Sequence, residues 1–144
     1  MDTNGDTNGD TNGRPETQPA VGVFGAGGHT GRFVVAELLR RGIAPIAIAR
    51  DPAALVAASF AEPSVLCRQA SVEDVQSLDR ALDGARAVIN CAGPFLETAD
   101  AVANAAVRAG IHYLDVTAEQ ASARATLDKS MLLRARRASL SSLP

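Results

Sequence analysis

From residue 20 onward, short apolar runs alternate with segments in which apolar side chains recur every three or four positions. The apolar runs predict five β-strands, at residues 20–24, 44–49, 64–68, 85–91 and 111–116. The helical spacing predicts helices at about 28–41, 52–60, 71–83, 98–109 and 118–136. This alternation predicts an α/β, Rossmann-like fold. It would be a doubly wound parallel sheet in the order 3-2-1-4-5, because right-handed crossovers place helices on both faces.

The first 19 residues have a different character. Residues 2–13 repeat Asp-Thr-Asn-Gly three times and offer no apolar side chain for burial, so we predict a disordered tail over residues 1–19. A calcium loop would need glycine at its sixth position and glutamate at its twelfth, where Thr7 and Gly13 stand. The repeat therefore does not predict a calcium site.

The first predicted strand leads directly into a glycine-rich segment and then a helix. Gly25, Gly28 and Gly31 fit the GxxGxxG spacing, and Gly25-x-Gly27 fits part of GxGxxG. Such an element binds the pyrophosphate of a dinucleotide, because glycines let the backbone approach the phosphates and the helix N-terminus offers free N–H groups. The candidate contacts are Gly25, Gly27, Gly28, His29, Thr30 and Gly31. A tight strand-to-helix turn without a ligand is the alternative.

The second strand is followed by Arg50 and then Asp51. An acidic residue at this point hydrogen-bonds the ribose 2′-hydroxyl of NAD, whereas an arginine pairs with the 2′-phosphate of NADP. Because Arg50 comes first, we predict NADP as the cofactor, with NAD less favoured. In the alternative interpretation, Arg50 is a solvated loop residue and Asp51 with Pro52 only begins a helix.

The end of the fourth strand is a further candidate, because ligands bind where the strand order reverses. Small residues there would let the backbone pass close to the ribose and nicotinamide. The candidates are Asn90, Cys91, Ala92, Gly93 and Pro94. A strand-ending turn is the alternative, and a nucleophilic role for the cysteine is disfavoured because no paired base is evident.

The end of the fifth strand carries Asp115, Thr117 and Glu119, which could orient a substrate or a domain partner, or cap the next helix. His112 and Tyr113 should lie on opposite faces of that strand. A Tyr-x-x-x-Lys pair would need lysine where Thr117 stands, so the catalytic chemistry of short-chain dehydrogenases is not predicted. Catalytic residues stay unassigned, and no metal site is predicted.

Composition adds a few constraints. Apolar residues make up 47% of the chain, and 14 Lys and Arg against 16 Asp and Glu give a net charge of −2. This balance disfavours nucleic acid and acidic membranes as partners. The apolar runs are too short to span a bilayer and no secretory signal is evident, so we expect a cytoplasmic protein. Cys67 and Cys91 fall on strands about 14 Å apart in the predicted order, so we expect no disulfide and two buried core residues.

Three segments together resemble the cofactor domain of the saccharopine dehydrogenase-like oxidoreductases, a family that includes trans-acting enoyl reductases. They are residues 23–32, 87–95 and 109–119. The second contains Asn-Cys-Ala-Gly-Pro-Phe and the third Ala-Gly-Ile-His-Tyr-Leu-Asp, and both are more specific than the glycine turn. The resemblance covers residues 20–128 and implies an NADP-binding domain. It also implies cofactor contacts from the turn glycines, Thr30 and Arg50, with residues 90–94 lining the nicotinamide side.

The chain departs from that family after its last predicted helix. Family members continue with a sixth strand and a second domain that supplies the substrate pocket, whereas residues 129–144 diverge. We therefore expect an N-terminal fragment without the substrate domain, inactive by itself and prone to form homo-oligomers through an exposed fifth strand. The alternatives are a non-catalytic NADP-binding redox sensor or regulatory module, and a non-functional truncated product.

Overall fold

The computed structural model describes residues 19–58, 60 and 64–116. Its strands are β1 (Ala20–Phe24), β2 (Ala44–Ala49), β3 (Leu66–Gln69), β4 (Ala85–Asn90) and β5 (His112–Asp115). Its helices are α1 (His29–Arg40), α2 (Pro52–Ala57), α3 (Val75–Ala81) and α4 (Phe95–Ala109). The predicted tail, the helix at 118–136 and the divergent segment at 129–144 lie outside the described residues, apart from residue 19.

The five strands form one parallel sheet in the order β3-β2-β1-β4-β5. β1 lies in the middle, with Phe24 opposite Ile48 of β2 and Asn90 of β4. The carboxyl ends of these three strands therefore meet at one edge of the sheet. The predicted α/β class and strand order are confirmed.

Two apolar cores lie on the two faces of the sheet, and β2 contributes to both because its side chains alternate. Ile46 and Ile48 lie in one core, whereas Ala47 and Ala49 lie in the other. The first core is completed by α3 and α4, through residues such as Leu78, Val102 and Ala105. The second is completed by α1 and α2, through Val35, Leu38 and Leu55. A strand buried on both faces reads as a continuous apolar run, as β2 does.

Three helix ends differ from the sequence-based boundaries. α3 begins at Val75 rather than residue 71, because the Asp74 carboxylate accepts from the Ser77 N–H at 3.2 Å and so forms the cap. α4 begins at Phe95 rather than residue 98, with Pro94 as its N-cap. α2 ends at Ala57, earlier than the predicted residue 60. The predictions were wrong at these ends, and at the starts of α3 and α4 the N-cap residue, Asp74 or Pro94, marks the observed boundary.

Cys67 is exposed, so its prediction as a buried core residue was wrong. It lies on β3, at an edge of the described sheet, beside an open groove of about 480 Å³ that α2 and Phe60 also line. The short α2 leaves this part of β3 uncovered. Cys91 is half-buried against the α1 and α2 core, and both thiols are free, as predicted.

Candidate dinucleotide-binding site

The turn between β1 and α1, residues 25–28, is tied to the neighbouring strand by its backbone. The N–H groups of Gly25 and Ala26 both donate to the Ile48 carbonyl oxygen, at 2.9 and 3.1 Å. Gly25 has φ +80°, a left-handed conformation that favours glycine. The turn therefore follows the end of β2 closely.

Three glycines of this segment are required by close packing. A Cβ on Gly31 would clash with the Gly25 carbonyl oxygen, and one on Gly25 would lie 2.8 Å from the Ala92 nitrogen. A Cβ on Gly27 would lie 2.8 Å from the Cβ of Ala54 in α2. The glycine pattern thus brings α1, α2 and the segment after β4 together around one turn.

The N-terminus of α1 is open to an anion. Gly28 is the N-cap, so no side chain caps the helix, and its first turn contains no acidic residue. The first N–H groups of a helix lack intrahelical partners, and the helix dipole makes that end positive. His29 and Thr30 are exposed here, and the His29 ring packs edge-on against Phe33 with centroids 5.3 Å apart. A phosphate group fits this environment.

At the end of β2, Arg50 and Asp51 have different environments. The Asp51 carboxylate accepts from the Ala53 N–H at 2.9 Å and caps α2, as the alternative interpretation expected. Arg50 is exposed, and no salt bridge to its guanidinium is found in the described part of the chain. Its carbonyl oxygen accepts from Gln69 Nε2 at 3.1 Å. The backbone of Arg50 is thus fixed by β3 while its charge faces solvent.

At the end of β4, the Asn90 side chain is fully buried and does not face solvent. Its Oδ1 accepts from the Ala92 N–H at 3.0 Å. Its Nδ2 donates to Thr98 Oγ1 at 3.1 Å and to the Tyr113 hydroxyl at 3.2 Å. We call these four residues, Asn90, Ala92, Thr98 and Tyr113, the Asn90 clamp. It holds the β4–α4 loop, residues 91–94.

Two hydroxyl groups complete the clamp. The Thr98 hydroxyl donates to the Ala92 carbonyl oxygen at 2.6 Å, and the Tyr113 hydroxyl donates to Asp115 Oδ2 at 3.0 Å. Burial raises the pKa of Tyr113 well above its usual range, and the Asp115 carboxylate raises it further. The Tyr113 hydroxyl is therefore a protonated donor at neutral pH.

Sequence reasoning assigned no role in the site to Thr98, and considered Tyr113 only as part of an absent catalytic pair. The available signal was positional. Thr98 is four residues after Pro94, one helical turn into α4, and Tyr113 alternates with the exposed His112 and Leu114 along β5. The opposite faces predicted for His112 and Tyr113 fit this alternation in exposure.

Two other residues of the β4–α4 loop, Cys91 and Gly93, have different environments. Burial raises the pKa of Cys91 to about 11, so this thiol is neutral at pH 7, as suits a core residue rather than a nucleophile. Among the described residues, a Cβ on Gly93 would meet only the Phe95 ring edge, at 4.0 Å. Packing within this part of the chain therefore does not require glycine at position 93.

The structure brings most of the candidate residues to one edge of the sheet. The β1–α1 turn contacts the β4–α4 loop directly, and Arg50 lies at the end of the adjoining strand β2. Asp115 is linked to this group of residues by the hydrogen bond that it accepts from Tyr113. Thr117 and Glu119 lie outside the described residues. Among the described residues, no group of three or more His, Cys, Asp or Glu could hold a metal ion.

These features define a Rossmann-type dinucleotide-binding domain. The family model of the saccharopine dehydrogenase NADP binding domain matches residues 21–140, and the chain belongs to that family. The resemblance seen in the sequence is thereby confirmed.

Three known proteins illustrate the relationship. A probable mitochondrial saccharopine dehydrogenase-like oxidoreductase of Arabidopsis thaliana is 33% identical over 121 residues, which cover 74% of this chain and 27% of that protein. Triphenylmethane reductase of Citrobacter sp., complexed with NADP(H), has a TM-score of 0.57 and 26% identity over 66% of this chain and 36% of that chain. An NADPH-dependent quinone oxidoreductase of Escherichia coli, complexed with NADPH, has a TM-score of 0.55 and 28% identity over 65% of this chain and 35% of that chain.

The chain thus spans about a quarter of the length of the curated relative it matches. The part it matches is the NADP binding domain of that family. Within the described residues, no helix is long and apolar enough to cross a membrane. The cytoplasmic location stays a prediction.

Proposed function

We propose that this domain binds NADP in preference to NAD, and that Arg50 makes the distinction. The observation that carries the proposal is the contrast between two adjacent residues. Asp51, which could have accepted from a ribose 2′-hydroxyl, already accepts from the Ala53 N–H. Arg50 is exposed and suits a 2′-phosphate, which an arginine binds through charge-assisted hydrogen bonds.

The strand order supports an orientation for the whole cofactor. The pyrophosphate would lie at the N-terminus of α1, over the backbone of residues 25–31, with His29 and Thr30 at its border. β1 lies between β2 and β4, so a dinucleotide with its adenosine half towards Arg50 extends its nicotinamide half towards the β4–α4 loop. The open space at Gly93 fits a close approach of ribose and nicotinamide to the backbone.

When bound, NADPH supplies a hydride for reduction of a substrate. The described residues would bind and orient it: the turn holds the phosphates, Arg50 the 2′-phosphate, and the β4–α4 loop the nicotinamide side. We propose that the substrate pocket comes from residues beyond those described, since the chain covers only 27% of its curated relative. The reaction class is oxidoreduction, with a ketone or an activated double bond as the first substrates to test.

A binding module without turnover is the second candidate, and one observation favours it. Burial raises the pKa of Cys91, in the β4–α4 loop, and of Tyr113, in the Asn90 clamp, so neither group loses its proton readily to act as a nucleophile or a base. Tyr113 also donates its proton to Asp115 rather than towards the open side of the loop. NADP binding without NADPH oxidation in the presence of either substrate class would support this candidate.

The test of the proposal is titration of NADP and NAD into the wild-type chain and into Arg50→Asp. We expect Arg50→Asp to weaken NADP binding by about 1–3 kcal/mol, the scale of a lost charge-assisted contact, and to leave NAD binding little changed. Arg86→Asp is the matched control, because Arg86 is an exposed arginine near the amino end of β4, away from the site. Equal NADP affinity in Arg50→Asp and the wild type would refute the assignment of Arg50.

A further inference from the structure

The β4–α4 loop is held in place through Ala92, whose N–H and carbonyl oxygen are both hydrogen-bonded to side chains. The N–H of Ala92 donates to Asn90 Oδ1 at 3.0 Å, and its carbonyl oxygen accepts from the Thr98 hydroxyl at 2.6 Å. The preceding residue adds a third tie, since the Cys91 N–H donates to the Phe24 carbonyl oxygen at 2.8 Å. Ala92 therefore cannot shift without loss of hydrogen bonds to β4 or α4.

Every hydrogen of the Asn90 amide has a defined partner. One Nδ2 hydrogen goes to Thr98 and the other to Tyr113, and each hydroxyl then donates onward, to Ala92 and to Asp115. Asn90 is fully buried, where hydrogen bonds are strong and an unpaired polar group is costly. Both amide hydrogens of Asn90 are thereby used, and the Thr98 hydroxyl has the Ala92 carbonyl oxygen, at 2.6 Å, as a nearer acceptor than the Pro94 carbonyl oxygen, at 3.4 Å.

The clamp acts on the cofactor side of the fold through Ala92. The N, Cα and Cβ atoms of Ala92 lie 2.8–2.9 Å from the place that a Cβ of Gly25 would occupy. The position of Ala92 thus sets the gap between the β1–α1 turn and the β4–α4 loop. Arg50 lies on the other side of β1 and has no part in this contact.

We infer that Thr98 and Tyr113 are positioning residues for the nicotinamide half of the cofactor. Acting through Asn90, they fix the β4–α4 loop against the β1–α1 turn, while the adenosine half is held independently at the end of β2. The inference rests on the proposed function, because it takes the cofactor orientation from the strand order. It assigns to α4 and β5 a role in cofactor geometry that the glycine turn alone does not perform.

The experiment compares two ligands on the full chain. NADPH contains both halves of the cofactor, whereas adenosine 2′,5′-bisphosphate contains only the half that faces Arg50. Thr98→Val and Tyr113→Phe each remove one hydroxyl and preserve most of the side-chain volume. We expect each to weaken NADPH binding roughly tenfold and to leave adenosine 2′,5′-bisphosphate binding within about twofold of the wild type.

Two further variants make the result specific. Thr98→Ser retains the hydroxyl and should restore most of the NADPH affinity. Ser77→Ala removes another largely buried hydroxyl, which donates to the Asp74 carbonyl oxygen at 2.7 Å near the start of α3. It should lower the melting temperature without changing the affinity for either ligand, which separates loss of stability from loss of positioning.

Each outcome decides one question. Unchanged NADPH affinity in a folded Thr98→Val or Tyr113→Phe protein overturns the positioning role, as does an equal loss for both ligands. If one variant does not fold, the other carries the test. A wild-type chain that binds neither ligand refutes the proposed function itself. Selective loss of NADPH binding, with rescue by Thr98→Ser, supports the inference.

Discussion

The β1–α1 turn and the β4–α4 loop face each other across the proposed cofactor site, but different means hold them in place. The turn fits because side chains are missing: Gly25, Gly27 and Gly31 leave room for backbone and for Ala54 and Ala92. The loop fits because side chains are present, namely Asn90, Thr98 and Tyr113. Added atoms should therefore damage the turn, whereas removed polar atoms should damage the loop.

The largest effect is expected from an added side chain in the turn. Gly25→Val must place its Cβ against the Ala92 backbone at a positive φ, so we expect NADP binding to be lost while the helical circular dichroism signal persists. Isothermal titration calorimetry measures the binding. Gly93→Ala, at the open position of the loop, should change the free energy of unfolding by less than about 0.5 kcal/mol. If Gly25→Val bound NADP with wild-type affinity, the β1–α1 turn would not be part of the cofactor site.

The next effect concerns removal of polar atoms from the loop. Asn90→Leu keeps the branching and number of side-chain heavy atoms but leaves the Ala92 N–H and two hydroxyl groups without their buried partner. We expect the free energy of unfolding to fall by about 3 kcal/mol, measured by urea denaturation. Asn104→Leu is the control, since Asn104 lies on α4 outside the clamp and should cost less than about 1 kcal/mol. Equal losses in the two variants would contradict the comparison.

Alkaline pH should also lower the stability of the protein through a residue of the β4–α4 loop, Cys91. Burial raises the pKa of Cys91 from 9.0 to about 11, so the folded state holds this proton more tightly than the unfolded state. The stabilisation is fully present below pH 9 and is lost as the pH rises through about 11. We expect the melting temperature to fall less steeply over this range in Cys91→Ala than in the wild type. A wild-type slope in Cys91→Ala would contradict the assignment.

The smallest expected effect is on self-association, and it concerns the exposed face of β5. Tyr113 faces the clamp, whereas Leu114 is 51% exposed on the other face of a strand at the edge of the described sheet. Exposed strand edges and apolar surface favour association, so we expect the isolated chain to self-associate at micromolar concentration. Leu114→Lys should shift the sedimentation profile towards monomer without changing NADP affinity. A wild-type chain that sediments only as monomer would refute the association.

The sequence predicted the fold and the turn because both depend on local patterns. Apolar runs and glycine spacing are properties of neighbouring residues, so strand order, Gly25 and Gly31 could be identified without the structure. Arg50 was predicted as a cofactor contact from its place after the second strand, and that role stays a prediction. These features need no knowledge of distant contacts.

The clamp could not be predicted in the same way. Asn90 and Tyr113 are 23 positions apart and meet only when β4 pairs with β5. Nothing in the pattern indicated that the Asn90 side chain would be fully buried. Cys67 was misassigned for a related reason, because whether a strand lies at an edge, and what covers it, depends on tertiary packing.

The shared carbonyl of Ile48 has a consequence for how the site is assembled. Two N–H groups of the turn donate to this one oxygen, which belongs to the strand after α1. These two hydrogen bonds can form only after the chain has passed through α1 and β2 has docked beside β1. Contact with Ala92 must wait longer, until β4 is added on the other side. During synthesis from the N-terminus, the glycines of the turn thus leave the ribosome before β2 and β4, the two strands whose docking completes the turn.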